Sequence, residues 1–314
     1  MLKIGTRESE LAMWQARLVA NLLSDNGIES ELVLIKSEGD IDLTTPLYAI
    51  GVQGIFTKTL DAALLSGRID LAVHSAKDVP VQLAKGLTKA AVLKRANNKD
   101  IIVPRDKSLS KESFEAILTE RTNNPFVIAT SSIRRKAQWL NRYSNDKIEN
   151  LRGNVNTRLK KLEQSNWTGA IFAAAGLERI GLRPDNSIEL DWMLPAPAQG
   201  AIMVVCRKGD ESVREMLYAL NDAATDICTT VEKDFLKALM GGCSTPIAAF
   251  ASIQGEVLQF KGNILSPDGT EKYEIEQSFD LEDYRQAGTL AANEILDKGA
   301  GKLAEKIRNV GKEI

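Results

Sequence analysis

Through the first two thirds of the chain, short apolar runs alternate with stretches in which apolar residues recur every three or four positions. This is the pattern of strands covered by amphipathic helices. Residues 2–5 read as a first strand. Ser9 then stands where it can cap a helix whose apolar stripe is Leu11, Trp14, Leu18 and Leu22 and which Gly27 ends. A second strand is predicted over 31–36, a helix marked by Phe56, Leu60 and Leu64 stops near Gly67, and 69–73 reads as a third strand. Such alternation predicts parallel sheets.

The pattern resets at Asn97-Asn98-Lys99-Asp100, a polar stretch followed by a strand at 101–103. Strands at 126–129, 147–151 and 170–173, each followed by a helical pattern, build a second α/β unit. Leu194-Pro195-Ala196-Pro197-Ala198-Gln199-Gly200 is a stiff connector because its prolines restrict φ and disfavour helix before them. A buried strand over 201–206 follows. From Asn221 a long helix passes through Val231, Phe235, Leu236 and Leu239 to Gly241-Gly242. Runs at 247–253, 257–265 and 273–279 read as an antiparallel meander, and a last helical stretch covers 281–309. The fold class is therefore α/β in two units, with a smaller C-terminal α+β unit.

Composition narrows the function. The 314 residues are 44% hydrophobic and 26% charged, enough for two or three packed units. With 40 Lys and Arg against 42 Asp and Glu, the formal charge of −2 argues against nucleic-acid binding by bulk positive field. The single histidine, His74, excludes a His-rich metal site and is read as a buried structural imidazole. Three cysteines lack any C-x-x-C spacing and cannot close a disulfide framework, which fits a reducing compartment. No apolar run approaches the roughly 18 residues of a membrane span, and the N-terminus carries no signal-peptide core, so a cytoplasmic protein is expected.

Candidate chemistry gathers at strand ends. Thr6-Arg7-Glu8-Ser9, His74-Ser75-Ala76-Lys77-Asp78, Thr130-Ser131-Ser132-Ile133-Arg134-Arg135 and Arg152-Gly153-Asn154 each precede a helix. Ligands of open α/β sheets bind there, and helix N-termini offer free N–H groups to anions. Arg7, Arg134, Arg135, Arg152 and Arg158 suit carboxylate or phosphate, while arginine does no proton chemistry at neutral pH; Asp78 is the nearest carboxylate for that work. The segment 51–58 has neither nucleotide fingerprint and reads equally as a tight turn or a mobile loop over the cleft. Cys206 and Cys228 read as inert core thiols. Cys243, on a Gly-Gly loop, is reachable, and its chemistry alone leaves a reactive role open.

These motifs, with Gly241-Gly242-Cys243 and, in support, Ala173-Ala174-Ala175-Gly176-Leu177 and Pro197-Ala198-Gln199-Gly200-Ala201, closely resemble the porphobilinogen deaminase (hydroxymethylbilane synthase) family from Gly5 to Pro246. The resemblance implies two lobes similar to type II periplasmic binding proteins, hinged near 95–101 and 194–200. It divides the chain into a discontinuous first domain (1–98 with 200–219), a second (99–199) and a third (220–314). It also implies a transferase of tetrapyrrole and heme biosynthesis that condenses four porphobilinogen molecules into linear hydroxymethylbilane, releasing ammonia each time. The primer would be a dipyrromethane cofactor in thioether linkage to Cys243. Lys77, Ser132, Arg134, Arg135 and Arg152 would hold that cofactor, and Arg7, Ser9, Arg158, Arg179 and Gln199 the substrate and growing chain. Asp78 would be catalytic, stabilising the electron-poor azafulvene left when ammonia departs and assisting proton transfer. A monomer without metal, nucleic-acid or membrane partner is expected. Where the family commonly has lysines in the cleft loop, this chain has Ala49 and Gln53. The rival reading is a two-lobed small-anion binding module without catalysis.

Overall fold

The computed structural model describes residues 1–36, 57–120, 125–239 and 245–310, the side chains of 308–310 excepted. The chain opens with β1 (Leu2–Thr6) and α1 (Glu10–Asp25), where Ser9 Oγ accepts the cap hydrogen bond from Ala12 N and Gly27 turns the exit at φ +72°. Gln15, Ala16, Val19 and Leu23 are the buried face of α1, while Leu11, Trp14, Leu18 and Leu22 are half-buried along its flank. Ala16 and Val19 let the middle of the helix sit close to the sheet, and the flanking leucines and Trp14 fill its edges. β2 (Ser30–Leu34), α2 (Lys58–Leu65), β3 (Leu71–Ser75) and β4 (Leu87–Val92) follow.

A linker crosses to β5 (Asp100–Pro104), α3 (Lys111–Thr119), β6 (Val127–Ala129), α4 (Ile133–Arg142), β7 (Lys147–Glu149), α5 (Val155–Glu163), β8 (Gly169–Ala173), α6 (Ala174–Glu178) and β9 (Ile188–Glu189). A second linker returns to β10 (Ile202–Arg207) and α7 (Glu211–Tyr218). Each lobe holds a five-stranded sheet, ordered β2-β1-β3-β10-β4 in one and β7-β6-β8-β5-β9 in the other.

Both sheets are mixed rather than parallel throughout. In each, three parallel strands are followed by a reversed strand that has just arrived across a linker: β10 runs antiparallel to β3 and β4, and β5 antiparallel to β8 and β9. The cause is geometric. The linkers cross at the end where the parallel strands finish, so a strand starting there must run back. Ile202 pairs with Ser75, the last residue of β3, and Asp100 pairs with Ala173, the last of β8. The crossing strands therefore begin beside the strand ends that carry the candidate chemistry.

The C-terminal unit is α8 (Ala223–Ala238), the antiparallel three-stranded meander β11 (Ile247–Gln254), β12 (Val257–Leu265) and β13 (Lys272–Asp280), then α9 (Tyr284–Ile295) and α10 (Gly301–Val310). The last two helices are parted by a kink in which Gly299 takes φ +109°. Phe235 and Phe260, both fully buried with ring centroids 5.0 Å apart, centre its core.

Glu232 of α8 ties this unit to both linkers. Its carboxylate is fully buried and accepts from Arg95 Nη1 (2.8 Å) and Nη2 (2.6 Å), Ala198 N (2.6 Å) and Ala251 N (2.8 Å). Four charge-assisted bonds satisfy a group that would be prohibitive to bury alone. The linkers also touch: Ala96 N donates to Gly200 O at 3.1 Å. Gly200 has φ +87°, and a Cβ there would lie 2.7 Å from Ala96 O, so that contact requires glycine.

Candidate active site

Between the lobes lies a cleft of about 700 Å³, walled by the strand ends, the first turns of α1, α4 and α5, the second linker and one side of α8. Local capping fixes the second lobe's wall. Ser132 Oγ accepts from Arg135 N (3.5 Å) at the start of α4, Asn154 Oδ1 accepts from Thr157 N (2.9 Å) at the start of α5, and Ser131 Oγ accepts from Leu151 N (3.0 Å) between them. The turns leading into α4 and α5 are thereby held individually by their caps and to each other by the Ser131–Leu151 bond.

Arg134, Arg135 and Arg152 line the cleft, and all three are buried. The first two converge on Asp100, the first residue of β5. Arg134 Nη1 donates to Asp100 Oδ2 at 2.7 Å and to Leu194 O at 2.6 Å. Arg135 donates from Nε to Asp100 Oδ1 at 2.9 Å and from Nη1 to Ile171 O at 3.0 Å. Burial alone would raise the Asp100 carboxyl, but the two guanidinium groups outweigh it and hold the acid well below the usual carboxylate range. One fixed anion against two fixed cations leaves a positive surplus facing the cleft.

Gln199, from the second linker, completes this network. It is fully buried; its Nε2 donates to Asp100 Oδ1 (3.0 Å) and Asn98 O (2.9 Å), and its Oε1 accepts from Lys77 Nζ (3.4 Å) and Arg134 Nη2 (3.5 Å). It lines the cleft, but its amide is already engaged by protein groups from both lobes. Burial, and after it the charge of Arg135, pushes the Lys77 ammonium down to about 8. Arg158 donates from Nε to Gly153 O at 2.7 Å and is pushed down to about 10 by burial and then by Arg135 and Arg152.

The first lobe's wall is built differently. Arg7 and Ser9 stand at the end of β1, and Ser9 Oγ also caps α1. Lys77 and Asp78 form a single 3₁₀ turn after β3 and face the cleft. Asp78 is half-buried and makes no hydrogen bond among the described residues, so its oxygens retain their accepting capacity. Lys233 of α8 lines the same side and donates to Val79 O at 2.7 Å.

Arg179 is the exception among the expected contacts. It is not among the described residues lining the cleft; it donates from Nη2 to Gly200 O at 2.6 Å, and its guanidinium lies 5.7 Å from the centroid of the Trp14 ring. Cys243 lies outside the described residues, as do Ala49, Gln53 and most of the 51–58 segment. Leu236 on α8 and Thr245, two residues along the chain from Cys243, both line the cleft. Cys206 and Cys228 are buried, and burial raises both thiols, Cys228 to about 11.

Sequence reasoning missed Asp100, Glu232 and Lys233. Two of them left a signal. Asp100 opens the apolar run Ile101-Ile102-Val103, and Glu232 falls on the buried stripe of Cys228, Val231 and Phe235; a carboxylate in either place requires a cationic or N–H partner. Lys233 left none.

The arrangement is a cation-rich cleft in which Asp78 is the half-buried carboxylate without a hydrogen bond among the described residues, suited to a ligand with several carboxylates and to proton or charge handling at Asp78. Residues 2–215 match the family described as porphobilinogen deaminase, dipyromethane cofactor binding domain, and residues 227–297 match porphobilinogen deaminase, C-terminal domain. A porphobilinogen deaminase of Campylobacter hominis is 38% identical over 310 residues, covering 97% of each chain. One from Moorella thermoacetica is 39% identical over 312 residues, covering 98% of this chain and 96% of its own. Among solved structures, the methionine-binding protein MetQ is 14% identical, with a TM-score of 0.42 over 72% of this chain and 91% of its own. A periplasmic VFT2 domain of Bordetella pertussis BvgS, also 14% identical, scores 0.40 over 72% of this chain and 88% of its own. Two family matches spanning both lobes and the C-terminal unit, and relatives aligned over nearly the whole length, establish that the chain belongs to the porphobilinogen deaminase family.

Proposed function

We propose that this cleft carries out the family's reaction, the stepwise condensation of four porphobilinogen molecules into linear hydroxymethylbilane with loss of one ammonia per unit. The convergence of Arg134, Arg135 and Arg152 with Lys77 and Asp78 on one cleft carries the reading. A dipyrromethane group fits it. The cleft volume is in the usual range of small-molecule sites, and its surplus of buried cations complements a cofactor bearing several carboxylates. That cofactor supplies the primer to which substrate units are joined, through a thioether to Cys243.

In this reading Arg134, Arg135, Arg152, Lys77 and Ser132 hold cofactor carboxylates, and Arg7, Ser9 and Arg158 take those of the substrate and growing chain. The committed amide of Gln199, and the bond of Arg179 to Gly200 O from just outside the cleft lining, support positioning roles for these two, in place of the direct substrate contacts the resemblance implied. Asp78 stabilises positive charge at a pyrrole N–H as ammonia leaves and later holds the ring proton. The three-domain division at 1–98 with 200–219, 99–199 and 220–314 agrees with β10 returning to the first sheet, and linkers of this kind allow the lobes to hinge. No helix among the described residues is long and apolar enough to cross a membrane. A cytoplasmic monomer is part of the proposal.

Supplying the purified holoprotein with porphobilinogen and measuring ammonia tests the reading against a binding module. One ammonia per porphobilinogen consumed, with a linear tetrapyrrole as product, is expected. Reversible binding with no ammonia would establish the module instead.

A further inference from the structure

Ala198, in the second linker, is the one non-glycine residue among the described residues whose φ lies in the left-handed region, at +63°, and it is fully buried. A side chain crowds the backbone in that conformation, so the residue stays there only where its surroundings hold it. The hold comes from outside the linker. Ala198 N donates to Glu232 Oε2 of α8 at 2.6 Å, and Arg95, paired to the same carboxylate through both terminal nitrogens, donates from Nε to Gln199 O at 3.0 Å. The two charged groups thereby grip the backbone on either side of the peptide that joins Ala198 to Gln199.

That peptide aims the Gln199 side chain. Its amide donates to Asp100 Oδ1 and Asn98 O and accepts from Lys77 Nζ and Arg134 Nη2, so it joins the counter-ion of the two arginines to a lysine of the opposite wall. Were Ala198 to relax to negative φ, the following peptide would rotate and carry the amide away from these groups. Neither Glu232 nor Arg95 is among the described residues lining the cleft, so their geometric hold on it passes through the linker.

We propose that the Glu232–Arg95 pair is a positioning device for the carboxylate-binding wall: it holds Ala198 in its left-handed bend, and the bend delivers the Gln199 amide to Asp100, Arg134 and Lys77. The C-terminal unit then sets, from behind, the cations that receive carboxylates. The proposal rests on the proposed function where porphobilinogen serves as the probe of that wall.

The test removes the pair without leaving a charge buried, a kind of replacement that folded proteins often accept. Crystals of the Arg95→Met/Glu232→Leu holoprotein are expected to show residue 198 at negative φ and the Gln199 amide withdrawn from Asp100. KM for porphobilinogen is expected to rise about tenfold, the worth of one hydrogen bond to a charged group, with kcat within about threefold of wild type. Adding Ala198→Gly should recover most of the loss in KM, because glycine takes the left-handed conformation without a side chain's cost, whereas a merely structural role would leave KM unrecovered. If the pair variant does not fold, Glu232→Asp, which keeps a charge for Arg95 but draws the carboxylate back from Ala198 N, takes its place with the same expectations. An unchanged bend and Gln199 amide in the variant crystal, a KM within twofold of wild type, or no recovery with glycine overturns the proposal. The crystal reads the linker without turnover, so a wild type that consumes no porphobilinogen would overturn the proposed function and leave the linker result standing.

Discussion

Arg134 and Arg135 on one wall of the cleft and Asp78 on the other are held by the protein in opposite ways. On the second lobe, Arg134 and Arg135 are both clamped by Asp100, tied to backbone carbonyls at Leu194 and Ile171, and bridged by Gln199 to Lys77. On the first lobe, Asp78 has no hydrogen bond among the described residues. The contrast separates two demands. A wall that recognises several carboxylates benefits from cations whose positions are fixed before the ligand arrives, since that lowers the ordering cost of binding. A wall that handles charge and protons must keep hydrogen-bonding capacity unspent until substrate is present.

Substituting Asp78 is the strongest way to separate the walls. Asp78→Asn keeps the shape and removes the charge, so kcat should fall by about 10²–10⁴ while the melting temperature and the retained cofactor stay as in wild type. Near-normal turnover would remove Asp78 from the chemistry.

Asp100→Asn should do the reverse. Removing one partner of a buried ion pair costs about 3–5 kcal/mol of stability, which urea unfolding would measure, and loosens both arginines, so KM should suffer more than kcat. The pH dependence has a definite sign. The carboxyl is held below its unfolded value of about 3.9, so the stability it contributes is fully present above that pH and is lost as pH falls below it. The gap between wild type and variant should therefore be full at pH 7 and narrow in acid.

Lys77 lies where the two walls meet through Gln199, and its effect should be the smallest. Its folded value of about 8 lies below the ordinary 10.5, because burial disfavours the charged form. Two consequences run in opposite directions. Between pH 8 and 10.5 the folded state binds fewer protons than the unfolded one, so this group's penalty on stability is relieved as pH rises. Over the same interval its attraction for carboxylate is lost, so kcat/KM should fall as pH rises through about 8. Lys77→Arg keeps its charge and should flatten that fall; an identical profile would place the titration elsewhere.

How far the sequence carried these conclusions depended on whether the signal was local. Strand ends, caps and the arginines at helix starts are encoded within a few residues, and Ser9, Ser132 and Asn154 cap helices directly after strands bearing the candidate chemistry. β4 escaped because Leu87-Thr88-Lys89-Ala90-Ala91-Val92 has weak strand propensity; it is a strand because β10, more than a hundred residues later, pairs with it. The direction of β5 and β10 was hidden for the same reason, since it follows from where the linkers cross. The counter-ion at Asp100 was the costliest omission. The polar stretch 97–100 read as a boundary, and nothing in its neighbourhood revealed that Arg134 and Arg135 would return to it. Arg179 is placed by its match to a family arginine alone, and its guanidinium donates to Gly200 O and lies over the Trp14 ring, contacts between distant segments that no local signal announces.

The central claim is that a fixed cationic wall and an uncommitted Asp78 wall serve a primer anchored at Cys243. Intact-mass measurement of the purified wild-type protein and of Cys243→Ser, both produced with porphobilinogen available, tests it most directly. The account predicts a wild-type mass above that of the bare chain by two porphobilinogen-derived units, and an unmodified, inactive Cys243→Ser protein. A wild-type chain of bare mass that still turns over, or a Cys243→Ser chain that keeps the adduct, would contradict it.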